Sequence, residues 1–98
     1  MVTLVPGDAV TTIPRFVAAN PHLVVALLFL DFDLYQPTAV ALQHFLPRMP
    51  RGAIVAFDEL DDPHWAGETV AVFEQVGLRN LRLRRLQFDA TVCYAQLT

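Results

Sequence analysis

The chain has 98 residues, 54% of them hydrophobic and 17% charged, with a formal net charge of −3. That length accommodates one small domain, 1–98, and the acidic balance offers no electrostatic attraction for nucleic acid or an anionic membrane. All 7 cationic side chains are arginine, and the single cysteine, Cys93, excludes an internal disulfide and a thiolate metal cluster.

Val2–Val5 is a short apolar strand candidate, closed by Pro6-Gly7. Thr12 is placed to cap a helix with Pro14 in its first turn, where a missing N–H costs nothing. Ile13, Phe16 and Val17 share one face of that helix, and Asn20-Pro21 ends it. Leu23 to Leu30 is a continuous apolar run, the pattern of a parallel strand covered on both faces. It is far shorter than the about 20 residues of a membrane-spanning helix. After Pro37-Thr38 a second helix carries Ala41, Leu42, Phe45, Leu46 and Met49 at helical spacing, with Pro47, Pro50 and Gly52 marking its end.

Ala53 to Phe57 is another apolar strand, followed by Asp58-Glu59. The loop LDDPHWAG leads into a helix from about Glu68 to Val76, with Gly77 as C-cap. Leu81 to Arg84 alternate in polarity and Thr91 to Leu97 reads as a returning strand, which makes a terminal antiparallel hairpin. Cys93, between Val92 and Tyr94, reads as a small core residue. No basic region leads into an apolar one at the N-terminus, so a signal peptide is not expected and a cytoplasmic location is.

The order is βαβαβα followed by ββ, an α/β pattern implying a parallel sheet with helices on both faces. Ligands of such sheets bind at the carboxyl ends of the strands, and both acidic clusters lie there. Asp31 and Asp33 point the same way if the backbone between them is extended, with Phe32 on the opposite side. Asp58 and Glu59 end the next strand. Carboxylates gathered at neighbouring strand tips repel one another, and a hard divalent cation relieves that cost. A single such aspartate is better explained by an exposed loop; two clusters at successive strand ends favour a shared site. Phosphatases and receivers that place acids similarly rely on a lysine, and this chain has none. A glycosyltransferase-like Asp-x-Asp, holding a nucleotide sugar through a metal, passes that test.

LLFLDFDLYQPTAVAL, then RGAIVAFDEL, then HWAGETVAVFE resemble, in order and spacing, the second half of a class I S-adenosylmethionine-dependent methyltransferase. The pattern is most similar to the metal-dependent sugar O-methyltransferases of the macrocin O-methyltransferase type. VTLVPGDAVTTIP resembles the segment that precedes these motifs. The resemblance implies the C-terminal part of a Rossmann-like fold and transfer of a methyl group from S-adenosylmethionine to a hydroxyl of a sugar or other small natural-product acceptor. It implies Asp31, Asp58 and Glu59 as ligands of Mg²⁺ or Mn²⁺, Asp33 as the general base, and Asp8 and Ala9 beside the cofactor. Many relatives carry Asp-Asp where this chain has Asp58-Glu59. Tyr35, His64 and Trp65 are substrate candidates; the loop holding His64 and Trp65 reads first as a packed surface loop, and functionally as a substrate lid with Trp65 stacking on a sugar or other planar acceptor.

There is no G-x-G, so the Gly-rich cofactor turn of that family and its first two strands are not expected in this chain. The isolated chain is accordingly expected to be inactive and to self-associate or take a partner supplying those strands. A non-catalytic remnant acting through a partner stays open beside the enzyme reading. His22 reads as a loop residue, His44 as a helix-surface residue, and Arg82, Arg84 and Arg85 as a solvated strand face.

Overall fold

Gly7 and Asp8 open the first helix, and each does so for a physical reason. In the computed structural model, which describes residues 2–32, 34–58, 84–85 and 92–97, helix α1 runs Ala9–Ala19. Asp8 is its N-cap: Oδ1 accepts a hydrogen bond from the Val10 N–H at 3.1 Å, and the Asp8 carbonyl accepts from Thr11 and Thr12, each at 2.9 Å. Gly7 has φ +123°, and a Cβ there would stand 2.9 Å from the Thr12 methyl carbon. The helix therefore starts before Thr12, which was expected to cap it, because Asp8 offers a capping oxygen one turn earlier. Pro14 consequently sits inside the helix, where the N–H it lacks would have served the Val10 carbonyl. At the other end the Asn20 side-chain amide donates to the Phe16 carbonyl at 2.8 Å and closes the helix, as expected.

Strand β1 (Leu27–Leu30) and strand β2 (Ile54–Asp58) are parallel, with Leu27 paired to Ile54 and Leu30 to Phe57. Between them lies helix α2 (Tyr35–Phe45), followed by a single 3₁₀ turn, Leu46–Arg48. Helix α2 begins ahead of Pro37-Thr38, and Pro37 falls in its first turn, where N–H groups have no intrahelical partner in any case. The 3₁₀ turn is tied back to the chain entering β1. The Val25 N–H donates to the Arg48 carbonyl at 2.9 Å, and the Arg48 guanidinium donates to the Pro21 carbonyl at 2.6 Å.

Two further strands, β3 (Arg84–Arg85) and β4 (Val92–Gln96), pair antiparallel with each other, so the terminal hairpin is present. Strand β4 also pairs antiparallel with β2, giving the order β1-β2-β4-β3 among the described residues. Its end clamps the turn before β2: Gly52, at φ +91°, donates its N–H to the Leu97 carbonyl at 2.7 Å, and Leu97 N–H donates to Ala53 at 2.8 Å. The expected helix from Glu68 to Val76 lies outside the described residues, as do the side chains at 84 and 85.

Leu28 and Leu30 of β1, Val55 and Phe57 of β2, and Ala41 and Leu42 of α2 form one core, extended by Met49, Ala53 and Ala95. Phe57, Val55 and Leu42 are fully buried; removing such a side chain from water is worth about 1.5–3 kcal/mol each. Helix α1 packs beside α2 on this same side, and its Ile13 reaches the core. Two expectations change here. The apolar run before Asp31 is covered on one face only, since Leu27 is 63% and Phe29 53% exposed while Leu28 and Leu30 are buried. Helices on both faces are not found among the described residues, because α1 and α2 share one. Val2–Val5 is not a strand either: it pairs with no described strand, and Val2 and Leu4 are exposed.

Candidate functional site

The parallel register of β1 and β2 decides where the first acids stand. The pairing ends with Leu30 and Phe57, and Asp31 and Asp58 are the next residues along at the carboxyl ends of these adjacent strands. Neighbouring strands run about 4.8 Å apart, a spacing at which two carboxylates can share one ion. Leu30 and Phe57 both face the core, so alternation turns Asp31 and Asp58 to the opposite face together. Phe32 returns to the core side and packs against it, as that alternation requires. Asp31 is exposed and Asp58 half-buried.

Tyr35 is the first residue of α2 and stands at the same end of the sheet, 38% exposed. Four of the sequence candidates, Asp33, Glu59, His64 and Trp65, lie outside the described residues. Among the described residues no group of three or more His, Cys, Asp or Glu is gathered in a way that would hold a metal. Two carboxylates at one strand spacing nevertheless fit a Mg²⁺-type site, which commonly takes one or two carboxylates and fills its remaining positions with water and substrate oxygens.

Asp8 and Ala9 stand at the start of α1, where Asp8 is engaged as the helix cap. Ala9 also lines a cleft of about 450 Å³ that the sequence did not suggest, in the size range of small-molecule sites. The cleft runs between the N-terminal segment (Thr3, Val5, Gly7), α1 (Ala9, Thr12, Ile13, Phe16) and the aromatic rings of Phe32 and Phe45. None of the described lining residues is charged. Ile13, Phe16 and Phe45 looked like ordinary core positions, because apolar residues at helical spacing carry the same signal whether they meet a neighbour or line a cavity. Phe32 joins this cleft to the acids, being next in sequence to Asp31.

The two described histidines are a helix and a turn residue. His44 Nδ1 lies 2.9 Å from the Val40 carbonyl one turn earlier, a half-buried helix position in keeping with the sequence reading. His22 is exposed in the turn after α1.

No family model and no curated protein sequence matches the chain. Solved structures do. CalS11, a TDP-rhamnose 3'-O-methyltransferase and an enzyme in calicheamicin biosynthesis, matches with a TM-score of 0.91 and 44% identity over 95% of this chain and 40% of that chain. A second structure of CalS11, described as a calicheamicin methyltransferase, matches equally well over 36% of its length. The O-methyltransferase NovP matches with a TM-score of 0.64 and 25% identity over 76% of this chain and 30% of that one. These solved relatives are O-methyltransferases. The described strands and helices are thus a methyltransferase-like α/β unit, and the chain spans 30% to 40% of the length of the relatives it matches. No described helix is long and apolar enough to cross a membrane.

Proposed function

We propose that this chain supplies the acceptor-activating half of an S-adenosylmethionine-dependent O-methyltransferase of the macrocin type, acting on a sugar-containing small molecule. The observation that carries the reading is the parallel pairing of β1 with β2, each followed or ended by an aspartate (Asp31, Asp58) at the same end of the sheet, in a chain 44% identical to a TDP-rhamnose 3'-O-methyltransferase. Asp31 and Asp58, with Glu59, are the residues that would hold Mg²⁺ or Mn²⁺. What such a cation contributes is a lowered pKa for a bound hydroxyl and a fixed position for its oxygen.

The remaining chemistry falls to the chain's own side chains. Asp33 takes the proton from the acceptor hydroxyl as general base. Tyr35, at the start of α2, bounds the acceptor side together with His64 and Trp65. Asp8 and Ala9 meet the methyl donor at the head of α1, where Oδ1 of Asp8 also caps the helix. The methyl donor also needs the Gly-rich turn that this sequence does not contain. Activity on this reading requires strands from another segment or chain, and β1, which pairs on only one side among the described residues, is where they would join the sheet.

Mn²⁺ binding followed by water-proton relaxation tests the site directly. The chain should bind Mn²⁺ weakly, and an Asp31→Asn, Asp58→Asn double variant should not. Equal binding by both proteins would remove the cation site and, with it, the favoured reading over a non-catalytic remnant.

A further inference from the structure

We draw no further inference here: the strongest candidate, the uncharged cleft between the N-terminal segment, α1 and the rings of Phe32 and Phe45, lies against Ala9 at the head of α1 and so belongs to the site already described, and nothing in the structure shows what occupies it.

Discussion

Replacing Gly7 by alanine probes the hinge between the N-terminal segment and α1. Two costs arise at once. At φ +123° an L side chain is strained, a penalty on the order of 1–3 kcal/mol. The new methyl would also stand 2.9 Å from Cγ2 of Thr12, a β-branched helix residue with little freedom to turn away. Residues 2–8 are exposed, however, so the segment can yield by letting go of the helix instead of bearing the full strain. The loss is then bounded by what the segment contributes, chiefly the Asp8 cap, worth about 1 kcal/mol. Gly7→Ala should accordingly cost about 1–2 kcal/mol in urea unfolding, and each kcal/mol should lower the melting temperature of a domain this size by about 4–8 °C. Thr12→Ala removes the opposing methyl, so in a double-mutant cycle it should recover part of the loss, with a coupling on the order of 0.5 kcal/mol or more. An unchanged midpoint for Gly7→Ala, or a cycle with zero coupling, would refute the close approach of Gly7 and Thr12.

Three other outcomes can be stated briefly. Asp8→Ala should destabilise by about 0.5–2 kcal/mol through loss of the α1 cap, while Asp8→Asn or Asp8→Ser should be nearly neutral; equal losses in all three would point to a role other than capping. Leu42→Ala should cost about 2–5 kcal/mol, because Leu42 is fully buried where α2 meets β1, and a loss under 1 kcal/mol in chemical denaturation would contradict that packing. Leu27→Lys with Phe29→Lys should leave the folded core intact and reduce self-association in analytical ultracentrifugation, since both side chains are already exposed on an open edge strand. A collapse of the fold in that variant would show that the face is covered.

What the sequence made legible follows from which signals are local. Successive apolar strands ending in acids, the turn at Gly52 and the returning strand could all be read, because each is written in a few adjacent residues. The placement of Asp31 and Asp58 at the same end of adjacent strands was also within reach, since parallel pairing of two short strands that both end in acids leaves few other arrangements. The start of α1 was misplaced because Thr12 and Asp8 both look like caps, and the choice turns on Gly7 reaching a φ that only glycine holds easily. Val2–Val5 looked like a strand for a similar reason. Apolar, β-prone residues record a preference, but a strand also needs a neighbour to bond, and no described strand lies beside this one. The cleft was invisible for the complementary reason: a cavity depends on which packing partners are missing, which no single segment encodes.

The sheet order adds one consequence for the acid pair. Strand β2 is held on both sides, by β1 and by β4, and the turn before it is clamped by Leu97, so Asp58 rides on the most restrained strand described. Among the described residues strand β1 is held by β2 alone and exposes one face, so Asp31 rides on an element that opens more readily. Carboxylates at strand tips bind an ion well only if their spacing is kept, and here the looser member sets that spacing. A strand added along the open edge of β1 would restrain Asp31 as β4 restrains Asp58. On the cation-site proposal, cation affinity at the pair and occupancy of that edge would be coupled, and by linkage each would strengthen the other.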